Sequence, residues 1–464
     1  MPEDSTTFAA VLTRRRLDDF VERLARLLTS VFFREVSVEG REGIPRGVPL
    51  VVVANHHNSL VDPLLLIAEL GVRPRFLAKS TLWDLPGIRS LLDLAGAVPV
   101  YRRQDEGVDT AKNDETFTRC FDELAGGGAI ALFPEGISHD APAMAPLKTG
   151  AARIVLGAMR ERGVTTTRIL PVGLTFEEKG VFRSRVLVRV GDALDPTQWL
   201  RAAEHDPREA ARSLTEAIAR ALARVTLNYP SHEEATLLER ASELFATRER
   251  ELPARLALAE AFALRRTLIA SYQRLRARDP VRMEALRARL SAYAARIDAL
   301  GLRDEHVVAR YPREEVLAYA VGSAALLFWW LPLAALGTFF NWIPYRLVGV
   351  AAGRARSQDL PATLKLFGGF FVFPIAWALW ALLAGLAFGA GAAFATLILA
   401  PATGWYAMRF QERYERFFDD AVAYLRVKWR RRRVAELKRE RDALHAEVSD
   451  LAKQAAEPEE KESP

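Results

Sequence analysis

Two stretches of this chain carry no charged residue, and they limit what it can fold into more than any other feature. Residues 316–345 are thirty consecutive positions without Asp, Glu, Lys or Arg, and residues 366–408 are another forty-three. A helix crosses a bilayer with roughly 20 apolar residues, and a water-soluble core helix has no need of such lengths. Both stretches are therefore expected in a membrane. The second is long enough for a hairpin of two crossings, 366–387 and 390–408, turning near Gly389-Ala390-Gly391. The first is long for one crossing and short for two, with Pro332 near its middle. It reads as a re-entrant segment or two-helix hairpin broken at that proline.

Charge gives the sidedness. Arg346, Arg354, Arg356 and Lys365 lie between the two stretches, and residues 409–433 hold nine Arg or Lys against four acids, ending in Arg430 to Arg433. Basic flanks stay in the cytoplasm, so both flanks and the domain preceding them are expected there, at the inner membrane in a bacterium. A polybasic run directly after a membrane stretch reads as attraction to anionic lipid, not nucleic acid. The whole chain is only mildly basic, with 64 Lys+Arg against 58 Asp+Glu. Further on, Leu437, Leu444 and Leu451 lie seven apart, with Val434 and Val448 at the other seam position and Arg441 interrupting it. The basic helix over 411–455 thus reads either as a short coiled coil, a seam for homo-oligomers, or as a solitary frayed helix, before a disordered tail at 456–464.

The remainder is a different kind of protein. Cys120 is the only cysteine, which excludes a disulfide framework and any Cys-rich metal site. Packing must hold the fold, and a reducing compartment suits it. Residues 1–35 read as an amphipathic helix packed on the domain, with Leu17, Phe20, Val21, Leu24, Leu28 and Val31 at helical spacing. No run long enough for a signal peptide follows Arg14, Arg15 and Arg16. Over 36–200, strand-like runs at 50–54, 75–78, 97–101, 128–133, 167–175 and 182–190 alternate with helical patterns at 63–70, 87–95, 113–124 and 149–160. That alternation predicts a layered α/β domain, a mixed sheet flanked by helices. Residues 201–312 read as an all-α, solvated bundle, with Asp279-Pro280 as a cap and first helical turn.

Chemistry is expected at the stretch LVVVANHHNSLVD, Leu50 to Asp62. A short apolar run bounded by polar residues reads as a strand buried on both faces. Asp62, followed by Pro63, reads as the cap of the next helix. His57 then sits between a strand's carboxyl end and a helix, where open α/β sheets place their ligands. A histidine takes and returns a proton near neutrality, and a carboxylate on its other ring nitrogen fixes the tautomer. The spacing His57-x-x-x-x-Asp62 predicts such a pair. Two more motifs leave predicted strands: GAVPVYRR, with Arg102 and Arg103, and FPEGISHD, with Glu135, Gly136 and His139. Parallel strand ends share one rim, so these groups can converge. An arginine beside a base suits a phosphate-bearing substrate.

NHHNSLVD, GAVPVYRR, FPEG and LPVGL (Leu170 to Leu174), in this order and spacing, resemble the four blocks of the glycerolipid acyltransferase family, which includes glycerol-3-phosphate and lysophosphatidate acyltransferases. The resemblance implies acyl transfer from an acyl-CoA or acyl-carrier-protein thioester to a glycerol hydroxyl. His57 would be the base and Asp62 its orienting partner. Arg102 would hold the acceptor's phosphate, Glu135 and Gly136 would shape the acceptor site, and Pro171 would line it. The family's third block commonly continues FPEGTR, whereas Ile137 and Ser138 follow here; Arg103 or Lys148 would then supply the missing cation. The stretches FPEGISHD, PLKTGAAR and FRSRVLVRVG look most like the glycerol-3-phosphate/dihydroxyacetone-phosphate branch that carries C-terminal membrane helices.

The residues themselves agree. A thioester is already activated, so no covalent nucleophile is needed, and Ser59 lacks a G-x-S-x-G elbow. His56, His57, Asp62 and His139 show no recognised metal spacing, and neither a P-loop nor a dinucleotide fingerprint is present. No bound cofactor or metal is expected. The partners are membrane lipid, the acyl thioester and a phosphate-bearing glycerol acceptor, with no nucleic acid. Acylation of lysophosphatidate is the alternative within the class, and a non-catalytic membrane scaffold the alternative outside it.

Overall fold

The computed structural model describes residues 3–84, 88–102, 110–246, 256–355 and 360–456. It divides into two compact units: Met1–Asn228 with Ala352–Phe367, and Tyr229–Ala351 with Gly368–Pro464.

In the first unit the chain runs α1 (Glu3–Phe32), β1 (Glu35–Glu39), β2 (Leu50–Ala54), α2 (Val61–Glu69), β3 (Pro74–Lys79), α3 (Ile88–Leu94) and β4 (Val98–Val100). It continues through α4 (Asn113–Ala125), β5 (Ala129–Leu132), α5 (Gly150–Arg162), β6 (Arg168–Phe176), β7 (Arg185–Val190), α6 (Thr197–His205) and α7 (Pro207–Val225). The strands form one sheet in the order β1-β7-β6-β2-β5-β3-β4. Every pairing is parallel except β6 with β7, so the sheet is mixed. The apolar run predicts a doubly covered strand, and β2 is buried along its whole length. Val51 and Val53 pack with Leu124, Ile154, Leu214 and Leu222 on one face; Val52 and Ala54 pack with Leu66 and Leu70 on the other. Full burial of one such side chain is worth about 1.5–3 kcal/mol. Because α7 supplies part of this core, the unit extends to Asn228, past the expected boundary near 200. The edge strand β1 is absent from the sequence reading.

The second unit contains α8 (His232–Ala246), α9 (Leu258–Arg278), α10 (Pro280–Leu300) and α11 (Asp304–Val308), with α12 (Arg313–Gly353), α13 (Leu360–Phe388), α14 (Ala390–Trp429) and α15 (Arg431–Ala456) following. The Asp279 side chain accepts from the Arg282 N–H at 2.9 Å, the expected cap. Helices α12, α13 and α14 are long and apolar enough to cross a membrane, and Gly389, at φ 90°, makes the expected turn between the last two. The expected break at Pro332 is corrected: α12 runs unbroken through Pro332 and Pro344 for 41 residues. Membrane helices tolerate proline because neighbouring helices and polar side chains compensate the freed backbone groups. Such neighbours are close here. Asn341 donates to Gly337 O (2.9 Å) and to Ala400 O of α14 (3.1 Å), and accepts from Trp377 Nε1 of α13 (2.8 Å).

The coiled-coil expectation is also corrected. Val434, Leu437, Leu444 and Val448 are buried, and α15 packs against α8, α9 and α10 of its own chain. Arg441, the apparent flaw in the seam, is only 5% exposed and bonds Asp304 at 3.0 Å. A heptad pattern reports an apolar stripe, not who covers it. Finally, the first turns of α13 belong to the α/β unit. Ala362 and Leu366 are buried with Phe32, Phe33, Val61 and Leu65, and Lys365 Nζ donates to Gly180 O at 2.8 Å.

Candidate active site

Strands β2, β5, β3 and β4 run parallel, so the residues following each lie along one rim of the sheet. At the end of β2, the Asn55 side chain continues the ladder to β6. Its Nδ2 donates to Leu174 O (2.9 Å) and its Oδ1 accepts from Leu174 N–H (2.7 Å). His56 follows. Its ring stacks on Phe133, with centroids 4.1 Å apart and planes at 10°, and its Nδ1 lies 2.8 Å from Asp62 Oδ2. The same oxygen accepts from the His57 and Asn58 N–H groups, each at 2.8 Å.

The expected partnership is thereby corrected: Asp62 holds the ring of His56, six positions before it, and only the backbone of His57. Both histidines lie in the turn after β2, which ends at Ala54, and this turn presents only the His56 ring to the carboxylate. The His57 ring turns the other way, its Nδ1 3.1 Å from His139 O. Asp62 is likewise not the helix cap. Leu60 occupies that position, and the Asp62 carboxylate folds back over the turn before it. Since Oδ2 already accepts two backbone N–H groups, His56 Nδ1 is the donor to it. The ring's lone pair then resides on Nε2. A hydrogen bond of this charge-assisted kind is worth about 1.5–3 kcal/mol. Asp62 is fully buried, whereas the His56 side chain keeps 16% of its surface open.

The third motif braces this arrangement. Glu135 is 2% exposed; its Oε1 accepts from His56 N–H (3.0 Å) and its Oε2 from Ala145 N–H (2.7 Å) and from His139 Nε2. His139 Nδ1 accepts from Ala141 N–H at 3.1 Å, which places the proton of a neutral His139 on Nε2. Glu135, expected to shape the acceptor site, has both oxygens committed to holding the His56 backbone and its own loop. Gly136 has φ 73°, and a Cβ there would come within 2.6 Å of Lys148 Nζ. The Lys148 side chain thus lies over Gly136; the residue is exposed and forms no ion pair among the described residues. Lys179, absent from the sequence reading, donates to His139 O (3.3 Å) and to Asp140 Oδ1 (3.0 Å).

The other expected residues are less closely gathered. Arg102 follows β4, three strands from β2 in the sheet order, or roughly 14 Å at the usual strand spacing. It shares the rim without reaching the histidine through the sheet alone. Arg103 falls outside the described residues. Pro171 pairs with Val53 inside the sheet and is buried, in contact range of Gly191. It belongs to the core beneath the rim and does not line the site. His56 lies six residues before Asp62 in the sequence, and only the path of the turn after β2 selects it over His57.

The acyltransferase family profile matches residues 35–175, and that of the glycerol-3-phosphate acyltransferase 2 C-terminal domain matches residues 238–460. An uncharacterised acyltransferase of Schizosaccharomyces pombe is 28% identical over 426 residues, covering 73% of this chain and 62% of that protein. Glycerol-3-phosphate O-acyltransferase 2 of Saccharomyces cerevisiae is 29% identical over 197 residues, covering 42% of this chain and 26% of that protein. The crystal structure of the 1-acyl-sn-glycerophosphate acyltransferase PlsC from Thermotoga maritima aligns with a TM-score of 0.33 and 23% identity, covering 45% of this chain and 81% of that one. The chain thus spans less than two thirds of the length of these two yeast relatives. The two profiles together run from the α/β unit through the membrane helices, and the chain belongs to the glycerolipid acyltransferase family, in its glycerol-3-phosphate-acyltransferase-like branch.

Proposed function

We propose that this chain moves a fatty acyl group from a CoA or acyl-carrier-protein thioester to a hydroxyl of glycerol 3-phosphate or dihydroxyacetone phosphate, with His56 as general base. The observation that carries the reading is the His56–Asp62 pair, whose Nε2 side is open at the end of β2. The acceptor's hydroxyl proton passes to Nε2 while its oxygen attacks the thioester carbonyl carbon. Asp62 stabilises the imidazolium that forms. When the tetrahedral intermediate collapses, the C–S bond breaks and the imidazolium returns the proton to the departing thiolate. No enzyme nucleophile enters the sequence. The phosphate falls to cations on the rim, Lys148 and Arg102 first. The yeast glycerol-3-phosphate O-acyltransferase and the matching C-terminal profile support that acceptor.

The test is turnover in membranes containing the full chain, with labelled acyl-CoA and glycerol 3-phosphate, dihydroxyacetone phosphate or lysophosphatidate in turn. His56→Ala is expected to lower turnover by roughly 10²–10⁴-fold, as for loss of a general base. Unchanged turnover in that variant overturns the mechanism. Preference for lysophosphatidate moves the chain to the alternative within the class, and no turnover with any acceptor favours the scaffold.

The α/β unit is proposed to face the cytoplasm together with the α12–α13 connection, whose flanks 352–355 and 360–367 group with that unit; on this reading α12, though unbroken, does not carry the chain across the bilayer. Cys120 makes this measurable. Burial, and then the neighbouring Glu123, pushes its thiol up to about 12, so it contributes little background. Ala355→Cys is expected to react with a membrane-impermeant maleimide only from the side bearing the α/β unit. Labelling from the opposite face refutes the shared side.

A further inference from the structure

The turn carrying the candidate base is held at every amide, and one of the holding groups comes from a membrane helix. His56 N–H donates to Glu135, the N–H groups of His57 and Asn58 to Asp62, and Ser59 N–H to Ser138 Oγ. Leu60 N–H donates to Thr363 Oγ1 at 3.3 Å and Val61 N–H to Asn58 O at 3.0 Å. Such support is needed, because Ser59 sits at φ 49°, a left-handed conformation that costs a non-glycine residue roughly 1–2 kcal/mol. Strain of this kind persists only where the surroundings over-determine it. Thr363 lies in the first turns of α13, 303 residues from Leu60. It is flanked by Ala362 and Leu366, buried with Val61 and Leu65 at the start of α2. Lys365 adds a bond to Gly180, in the connection between β6 and β7.

We propose that Thr363 is a positioning residue for the acyl transfer: the membrane helix α13 begins as part of the active-site turn, and His56 is correctly aimed only while that helix start is docked. The six amides from His56 to Val61 are all occupied, so freeing one loosens the loop that places both His56 and Asp62. Coupling of this kind suits an enzyme whose product belongs in the bilayer, since the site would be complete only when the anchor is seated. The inference rests on the acyltransferase reading for its kinetic consequence, but not for its structural one.

Thr363→Val keeps the shape and removes the acceptor oxygen; Thr363→Ser keeps the oxygen. In full-length protein in membranes, Thr363→Val is expected to lower kcat by about three- to tenfold, the worth of one neutral hydrogen bond, with the acceptor KM changed less than about twofold. Thr363→Ser is expected to restore kcat. Hydrogen exchange of the peptide covering 55–62 is expected to rise by a similar factor in the valine variant and to return in the serine variant. Wild-type exchange and kcat in Thr363→Val overturn the proposal, as does failure of serine to rescue. Faster exchange across the whole sheet also overturns it, because the threonine would then support the fold and not the turn. An inactive wild type would count against the acyltransferase reading alone, since the exchange measurement still decides the positioning role.

Discussion

Asp62 and Asp304 are both buried carboxylates, one in the α/β unit and one in the helical unit, and only the first makes a candidate site. Asp62 binds a histidine ring whose second nitrogen remains open. Asp304 is 7% exposed and accepts from Arg441 Nε at 3.0–3.1 Å and from Tyr293 OH at 2.6 Å. Arg441 also donates to Leu244 O at 2.7 Å. All these donors are sealed within the bundle, and neither an arginine nor a buried tyrosine there can exchange a proton with a substrate near neutral pH. A buried charge pair by itself therefore marks structure as readily as function. The difference lies in whether one partner keeps a titratable atom free at a rim that substrate can reach.

Substitutions separate the two by which quantity they move. The largest expected effect is His56→Ala, with turnover per folded molecule down roughly 10²–10⁴-fold and stability lowered by about 1.5–3 kcal/mol through the lost bond to Asp62. His57→Ala, removing only a ring bond to a carbonyl, should cost less than about tenfold. Equal losses in the two variants would break the assignment of the base to the first histidine. Arg441→Met is expected to move stability alone. It strands the Asp304 carboxylate, which typically costs 3–5 kcal/mol, and leaves turnover per folded molecule intact. Arg441→Met combined with Asp304→Leu should recover most of that loss, because replacing a whole buried pair by apolar groups is often neutral. Denaturation in detergent gives the stability, and an assay normalised to folded protein gives the turnover. Loss of activity beyond the folded fraction in Arg441→Met would erase the contrast.

The same contrast explains what was legible in the sequence. The uninterrupted apolar run identifies β2, because a doubly covered strand needs no alternation. Acidic and basic motifs leaving successive strands identify the rim, because parallel strands end together. Spacing failed at the histidines. Counting residues from Asp62 gives a distance along the chain but not the side to which each ring points, and that side decided between His56 and His57. Thr363 could not be found at all by reading locally: its contact is with Leu60, and no motif in α13 announces it. Edge strand β1, with Glu at both ends, Glu35 and Glu39, lacks the apolar run that marked β2. In the membrane part, composition identified the environment but not the path. Pro332 signals a lost hydrogen bond, and whether a helix breaks there depends on neighbours such as α14, which adjoins α12 near Gly337. The seam of α15 was read correctly as apolar and wrongly as intermolecular, because its partners α8, α9 and α10 lie far away in sequence.

The smallest expected effect is on pH dependence, and it tests whether the second cluster is purely structural. Burial, and then the Asp304 carboxylate beside it, pushes the Tyr293 hydroxyl above its ordinary value, near 10 in model peptides. A group whose pKa is raised on folding stabilises the fold fully below its unfolded pKa. That stabilisation is lost as pH rises beyond it, because only the unfolded chain then releases the proton. Burial raises Tyr229 in the same way. The thermal midpoint is therefore expected to fall above about pH 10. Tyr293→Phe should shed its share of that slope, at most about 1.4 kcal/mol per pH unit for one proton. It should also lower stability near neutrality by about 1 kcal/mol through the lost bond to Asp304. Turnover at pH 7 should be unaffected, since none of the residues bonded to His56, Asp62 or Glu135 belongs to this cluster. A Tyr293→Phe protein that keeps the full alkaline slope would assign the sensitivity to other tyrosines. One that loses turnover at neutral pH while remaining folded would mean that the sealed carboxylate shares in the chemistry of the open one.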